Sequence, residues 1–208
     1  MSIPSPQPAP RVLVIASGNA GKIREFTALL ASAGPELGLE VCPQPQGLEV
    51  EEDGDSFAAN ARLKAEAVAR LTGHWTLADD SGLSVEALGG APGIHSARYA
   101  SSDPERIARL LRELAGESNR RAIFTAALAV ADPSGRTILE VEGHCQGEIL
   151  ETPSGEGGFG YDPLFLVAET GLSFAQMTPD LKRRVGHRGR ALDALLPPLL
   201  QLFGGEVA

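Results

Sequence analysis

A short apolar run near the start of the chain limits the fold more than any other feature. Residues 12–16 are rich in β-branched side chains, and the glycine-containing segment 17–22 separates them from a helical pattern at Ile23, Phe26 and Leu30. A buried strand that leads through a short loop into a helix is a building block of α/β folds. The sequence therefore predicts an α/β protein.

Helical patterns also occur further along the chain. One begins at Asp55 or Ser56, either of which can cap its first turn. Another begins at Asp103, because this aspartate can act as the cap and Pro104 suits the first helical position. The last pattern covers residues 190–203. We expect helices in all three places.

Four more segments have the apolar, β-branched character of strands, at 76–78, 122–131, 137–145 and 164–167. The turn-forming segment 132–135 joins two of them into a predicted antiparallel hairpin. A hairpin among alternating strands and helices makes the sheet mixed rather than purely parallel. We therefore expect an α/β fold with a central mixed β-sheet flanked by helices.

Length and charge narrow the possible functions. The chain has 208 residues, and we expect one domain over 11–208 after a disordered, proline-rich leader at 1–10. A net charge of -9 argues against nucleic-acid binding, since such domains usually carry a basic surplus. An anionic ligand would need a local basic pocket or a metal. The sequence has no signal peptide or long apolar run, which indicates a cytoplasmic protein with no membrane partner.

The first candidate site is the loop 17–22, with the sequence SGNAGK. The backbone N–H groups of such a loop, a helix N-terminus and the charge of Lys22 can together bind phosphate. The glycine spacing differs from that of a P-loop. An ordinary turn between a strand and a helix is the alternative.

Two adjacent carboxylates, Asp79 and Asp80, follow the strand predicted to end at Ala78. Neighbouring side chains on an extended strand point to opposite sides, so one carboxylate can face a site while the other fixes the loop. Mg²⁺ in proteins prefers one or two carboxylates together with waters and substrate phosphates. An acidic turn with a capping role is the alternative.

An acidic run over 51–53 precedes the second helix, on which Asn60 and Lys64 lie at the flank of the buried stripe. Taken alone, the acidic run is typical of a solvated surface near a helix start. A lysine at the edge of a buried face must extend to solvent or bind an anion.

Two late segments add an aromatic and a basic candidate site. Residues 155–163 combine glycines, which let backbone approach a ligand, with Phe159, which can stack on a planar base, and Asp162, which can accept hydrogen bonds. Residues 182–190 form a dense basic run in an acidic chain and so predict a local anion site. The alternatives are a flexible loop over the edge of the core and a solvated basic face.

Taken in order, these segments resemble the inosine triphosphate pyrophosphatase family, whose members are also called dITP/XTP pyrophosphatases. The matching stretches are SGNAGK at 17–22, EEDGDSFAANARLKA at 51–65, LADDSGLSVEALGGAPGIHSARYA at 77–100, GGFGYDPLF at 157–165 and HRGRAL at 187–192. Ser17 stands where the family commonly has threonine, and Gly186 stands where serine is common. Neither departure removes a charged or metal-binding residue.

The resemblance implies an elongated, two-lobed α/β fold with a substrate cleft between the lobes, and a homodimer. It implies that Asp80 and Glu52 hold Mg²⁺, that Asp80 also accepts a proton, and that Lys64 faces the phosphates as a catalytic group. The other implied site residues bind substrate: Ser17, Gly18, Asn19, Ala20, Gly21, Lys22, Ser81, Phe159, Gly160, Tyr161, Asp162, Lys182, His187 and Arg188.

The implied activity is hydrolysis of non-canonical purine nucleoside triphosphates, namely ITP, dITP and XTP, to the monophosphate and pyrophosphate. Such an enzyme cleans the nucleotide pool. Two alternatives stay open. A related pyrophosphatase acting on modified pyrimidine or canonical triphosphates would keep the metal and the lysines but change the base contacts, and a nucleotide sensor would bind the same ligands without turnover.

Overall fold

A mixed β-sheet organises the described part of the chain. The computed structural model describes residues 11–33 and 38–204, so the leader predicted at 1–10 lies outside it. The strands are β1 (Arg11–Ala16), β2 (Leu39–Pro43), β3 (Trp75–Val85), β4 (Arg121–Ala131), β5 (Thr137–Ile149) and β6 (Phe165–Val167). Their order across the sheet is β2-β1-β3-β4-β5-β6. β1 pairs in parallel with both β2 and β3, and the remaining pairs are antiparallel.

Helices cover both faces of this sheet. They are α1 (Ala20–Ala33), α2 (Phe57–Thr72), α3 (Asp103–Glu113), α4 (Pro179–Val185) and α5 (His187–Gly204). α1 and α5 pack on one face against Leu13 and Leu77, and α2 packs its alanines on the other face against Val14 and Ala78. The predicted α/β fold with a mixed sheet is confirmed, whereas the elongated two-lobed shape stays a prediction. No helix in the described ranges is long and apolar enough to span a membrane.

Two serines explain where the central helices begin. Ser56 precedes α2, and its Oγ accepts the N–H of Ala59 at 3.2 Å, which confirms one of the two predicted caps. Ser102 precedes α3, and its Oγ accepts the N–H of Glu105. The prediction that Asp103 caps α3 is therefore wrong. Because Ser102 satisfies the helix end, the Asp103 carboxylate contacts another segment instead.

β3 differs most from the sequence prediction. The predicted strand ended at Ala78, whereas β3 continues through Asp79 and Asp80 to Val85. β1 pairs with β3 only as far as Ala78, and beyond that residue β4 continues the ladder as far as Val85. Pairing with a distant strand overrides the turn-forming character of the local sequence. The two aspartates therefore lie within a strand, at the place where β1 ends beside it.

A glycine on β5 positions the start of α5. A Cβ on Gly143 would lie 2.3 Å from the carbonyl oxygen of His187 and equally close to the backbone nitrogen of Ala191. Only a residue without a side chain leaves room for a helix at this distance. The first turn of α5 thus rests directly on the sheet and holds His187 and Arg188 over it.

Candidate active site

Segments that are far apart in sequence meet at one pocket beside the end of β1. Its volume is about 280 Å³. Predicted site residues supply much of the wall, namely Asn19, Gly21, Lys22, Ser81, Phe159, Gly160, Tyr161, Asp162, His187 and Arg188. The sequence did not predict several other lining residues: Arg24, Gly82, Ser96, Ala97, Asp103, Arg106 and Phe124. The fold therefore brings four segments together. They are the first loop (17–22), β3, the glycine-rich loop (155–163) and the basic run (182–190).

The first loop is organised by its asparagine. Asn19 Oδ1 accepts the N–H of Gly21 at 2.8 Å and that of Lys22 at 3.1 Å, while Ser17 Oγ accepts the N–H of Asn19. Asn19 therefore caps α1, as expected for a turn between a strand and a helix. The rest of the segment, Gly18 and Ala20, is exposed. Lys22 carries the positive charge of this loop into the pocket wall.

Asp79 lies on the α1 and α5 side of β3 and faces several hydrogen-bond donors and cations. Its Oδ2 is 2.8 Å from Lys22 Nζ and 3.7 Å from Arg188 Nε, and it accepts a hydrogen bond from Ser81 Oγ at 3.0 Å. Burial alone would raise the pKa of Asp79, but the charges of Lys22 and Arg188 outweigh burial and lower it well below its usual range. Asp79 is therefore ionised at neutral pH.

Asp80 lies on the opposite side of β3, under α2, where it shares Lys64 with Glu52. Lys64 Nζ donates to Asp80 Oδ1 at 3.2 Å, to Glu52 Oε1 at 2.8 Å and to the Asp79 carbonyl oxygen at 2.9 Å. Burial raises the pKa of Asp80, and the charges of Glu52 and Asp79 add to this, so that Lys64 and Lys22 do not reverse the shift. The pKa of Lys64 is itself raised, because these carboxylates outweigh its burial.

A buried asparagine fixes the loop that carries Glu52. Asn60 Oδ1 accepts the N–H of Gly54 at 2.9 Å, and a Cβ on Gly54 would lie only 2.7 Å from that oxygen. On the outer side, Arg98 Nη2 lies 3.6 Å from Glu52 Oε2. Burial would raise the pKa of Glu52, but Lys64 and Arg98 lower it, so this carboxylate is ionised.

The two acids near Lys64 fit a hard divalent cation. Asp80 Oδ2 is buried and has no hydrogen-bond partner within the described residues, and the same holds for Asp79 Oδ1. No three histidine, cysteine or acidic side chains converge as a metal cage in residues 11–33 and 38–204. Two carboxylates suffice for Mg²⁺, which takes most of its remaining ligands from water and phosphates. The open oxygen of Asp80 beside Glu52 is suited to this role.

The glycine-rich loop forms an aromatic wall held by polar contacts. Asp162 Oδ2 accepts the N–H of Phe159 at 2.9 Å and a hydrogen bond from Lys182 Nζ at 2.6 Å. The Tyr161 hydroxyl donates to the carbonyl oxygen of Ser96 at 3.0 Å. Lys182 Nζ also lies 5.2 Å from the centre of the Phe159 ring. Lys182 thus belongs to the aromatic wall and contacts Asp162.

His187 presents two open nitrogens from a buried position. Its ring is 2% exposed and stacks on Phe124 with centroids 4.7 Å apart. Neither ring nitrogen has a hydrogen-bond partner within the described part of the chain. Burial, and next the charge of Arg188, lower the pKa of His187 well below its usual range, so the ring is neutral. A neutral imidazole offers one donor and one acceptor to a ligand in the pocket.

Arg188 is held on two sides by residues of other elements. Its Nη1 donates to Glu25 Oε2 at 3.0 Å, and its Nη2 donates to Ser81 Oγ at 2.8 Å. Glu25 was not predicted from the sequence as a site residue. Glu25 follows Lys22 by three residues on α1 and so lies on the same helix face, which could have indicated that it faces the site. Charged residues on a helix usually face solvent, and this weakened that indication.

Known proteins resemble the chain over most of its length. A dITP/XTP pyrophosphatase from Synechococcus sp. is 61% identical over 196 residues, which cover 94% of this chain and 93% of that protein. A dITP/XTP pyrophosphatase from Nostoc sp. is 56% identical, with coverage of 94% and 98%. These identities extend well beyond the site itself.

Solved structures are similar in fold as well as in sequence. The Staphylococcus aureus Ham1 protein superposes with a TM-score of 0.80 at 37% identity and covers 92% of this chain and 100% of its own. A HAM1 protein from Coxiella burnetii superposes with a TM-score of 0.81 at 37% identity, covering 92% and 99%. The sequence model of the Ham1 family matches residues 13–197, and the chain therefore belongs to the Ham1 family.

Proposed function

We propose that this protein hydrolyses the non-canonical purine nucleoside triphosphates ITP, dITP and XTP to the monophosphate and pyrophosphate, and so cleans the nucleotide pool. The names of its relatives support the substrate class. The observation that carries the proposal is the pocket in which the neutral ring of His187, whose nitrogens have no hydrogen-bond partner among residues 11–33 and 38–204, faces the same space as Phe159 and Lys22. This pocket combines groups suited to a planar base with a cation suited to phosphate.

The phosphate chemistry is assigned to the acids and lysines on both sides of β3. Glu52 and Asp80 would hold Mg²⁺, which when bound would neutralise phosphate charge and make water a stronger nucleophile. Lys64 holds both carboxylates in place, and Lys22 stabilises the charge that builds on the phosphate oxygens. Asp80 also accepts the proton of the attacking water. The water attacks the α-phosphorus, the bond from that phosphorus to the oxygen bridging it to the β-phosphorus breaks, and pyrophosphate leaves with the bridging oxygen.

Base recognition is assigned to the pocket lined by Phe159 and His187, whose wall does not include Glu52, Lys64 or Asp80. Phe159 stacks on the purine, and the 6-oxo group accepts hydrogen bonds from the donor nitrogen of His187 and from Arg188. The Asp162 carboxylate accepts from the N1–H group beside the 6-oxo group. A 6-amino group would leave the buried His187 donor unpaired, and ATP is rejected for this reason. Of the remaining proposed substrate-binding residues, Asn19, Gly21, Ser81, Gly160 and Tyr161 line the same pocket. Lys182 contacts Asp162 in its wall, and Ser17, Gly18 and Ala20 belong to the segment 17–22.

Product analysis tests this function directly. The purified protein is incubated with Mg²⁺ and ITP, XTP, dITP, GTP or ATP, and pyrophosphate is measured separately from orthophosphate. We expect pyrophosphate and monophosphate from the first three nucleotides, and little product from GTP or ATP or without the metal. Release of orthophosphate, or equal cleavage of all five nucleotides, would contradict the proposal.

Two further properties belong to the same proposal. We expect a homodimer, which sedimentation velocity checks by the mass of the sedimenting species. We also expect the protein to act in the cytoplasm, where nucleotide pools are used, and cell fractionation with an antibody to the chain tests this location.

A further inference from the structure

An acidic side chain on α3 contacts the backbone of the glycine-rich loop. Asp103 Oδ2 accepts the N–H of Gly160 at 2.8 Å, although the two residues are 57 positions apart. The other oxygen, Oδ1, accepts a hydrogen bond from Arg106, which also donates to the carbonyl oxygen of Ala100. Asp103 and Arg106 both line the pocket. Neither residue has a role in the function proposed above.

The location of this contact matters because Gly160 is next to Phe159. Gly160 has a φ of 63°, in the left-handed region where residues with side chains are disfavoured. Phe159 and Gly160 each donate their N–H to a carboxylate, the first to Asp162 in the same loop and the second to Asp103 on α3. The Asp103 contact thus connects the aromatic residue to a helix that packs in the core through Leu110.

The helix start keeps the Asp103 carboxylate in place. Ser102 caps α3, so Asp103 is not needed for the first turn, and a negative charge in that turn is stabilised by the helix dipole. Arg106 lies one turn later and holds the second carboxylate oxygen. The Phe159 ring in turn lies close against Gly21, since a Cβ there would be 3.4 Å from two of its ring carbons. A shift of Gly160 would therefore change the width of the space beside this ring.

We propose that Asp103 is a positioning residue which, by holding the Gly160 N–H, sets the Phe159 ring at the position where a purine base stacks. This inference rests on the proposed function, because it assumes that a base binds beside Phe159. Asp103 acts through the loop and does not touch the reacting phosphates. It determines affinity for the base and leaves the chemical step unchanged.

Kinetics of three variants test this role. Asp103→Ala removes the acceptor, Asp103→Asn keeps an oxygen that accepts from Gly160, and Glu105→Ala is the control because Glu105 is an exposed acid in the same helical turn. For Asp103→Ala we expect the KM for ITP to rise about tenfold, the loss expected for one charged hydrogen bond, with little change in kcat. Asp103→Asn should lie closer to the wild type, and Glu105→Ala should match it.

A ligand without a base separates positioning from a general loss of structure. Inorganic tripolyphosphate, used as a competitive inhibitor of ITP hydrolysis, should inhibit Asp103→Ala and the wild type equally. An unchanged KM in Asp103→Ala, equal impairment of Asp103→Asn, or weaker inhibition by tripolyphosphate would each overturn the proposal.

A second measurement does not depend on turnover. Amide hydrogen exchange of Gly160, followed by NMR in the protein without nucleotide, should be protected in the wild type and in Glu105→Ala, and faster in Asp103→Ala. Equal exchange in all three proteins would overturn the Asp103 contact. If the wild type released no pyrophosphate, the proposed function would fail, whereas the exchange data would still decide whether Asp103 holds the loop.

Discussion

Asp79 and Asp80 are consecutive on β3 and lie on its opposite sides, and their pKa values are shifted in opposite directions. On one side, Asp79 faces Lys22 and Arg188, and their charges lower its pKa despite complete burial. On the other side, Asp80 shares Lys64 with Glu52, and burial raises its pKa. Asp79 therefore stays ionised beside its cations, whereas burial shifts Asp80 towards its protonated form. The difference arises because Asp79 has cations close by, whereas Asp80 also faces the negative charges of Glu52 and Asp79.

The largest expected effect is on the Asp80 side. Asp80→Asn should lower kcat/KM for ITP by about 10³-fold, because a metal site contributes several kcal/mol to stabilising charge in the transition state. The melting temperature should stay unchanged or rise, since a buried carboxylate with a raised pKa is replaced by a neutral group of similar shape. Pyrophosphate release and thermal unfolding check the two effects. Activity within tenfold of the wild type would remove Asp80 from the reaction.

A substitution of Asp79 should act mainly on the stability of the folded protein. Asp79→Asn should lower the free energy of unfolding by about 3 kcal/mol, because Lys22 and Arg188 lose their shared counterion. The pKa of Asp79 is lowered on folding, so its stabilisation is present above the usual value of 3.8 and is lost as the pH falls towards the folded value. Urea unfolding at several pH values measures this. A penalty that changed between pH 5 and 8 would contradict the assignment.

His187 lies near the same cations as Asp79, but it is a base, so a lowered pKa favours its neutral form. Its pKa is lowered on folding, so the unfolded chain binds the proton more tightly and stability falls as the pH drops below 6.5. The slope should be about 1.4 kcal/mol per pH unit for this one group. His187→Phe should lack this contribution, and urea unfolding of both proteins from pH 7.5 to 5.5 measures the difference. Parallel stability curves would mean that His187 is not buried as a neutral ring.

The smallest effect is expected at Glu25. Glu25→Gln removes one partner of Arg188, which Ser81 and Asp79 continue to hold, so the KM for ITP should rise only about threefold. Steady-state kinetics measure this change, and Glu40→Gln on the exposed edge of β2 is the matched control. A rise as large as that from loss of Arg188 itself would show that Glu25 is its main support.

Local patterns predicted the parts of the fold that depend on local contacts. The cap at Ser56 and the hairpin of β4 and β5 are formed by residues close in sequence, and both were predicted. The length of β3 was not, because aspartate and glycine disfavour strands and the partner that overrides this, β4, comes much later in the chain. β2 was missed because its five residues show no regular alternation of buried and exposed positions.

In the site, too, features that depend on the local sequence were predicted, and contacts between distant segments were not. The resemblance and the position of the motifs at the ends of elements identified most residues that line the pocket. Glu25, Asp103 and Arg106 were missed because single charges on helices usually face water, and their partners come from segments far away in sequence. Which charges meet across the pocket depends on the tertiary packing of α1, α3 and α5.

The early end of β1 also limits how this chain can change in evolution. The pairing of β1 with β3 ends at Ala78, and Lys64 donates to the carbonyl oxygen of the next residue, Asp79. An insertion that lengthened β1 past Ala16 would extend the parallel ladder to Asp79 and compete with Lys64 for the same backbone group. Insertions should therefore be tolerated in surface turns such as 132–135, and selected against between β1 and α1. The site depends on a strand that stops early.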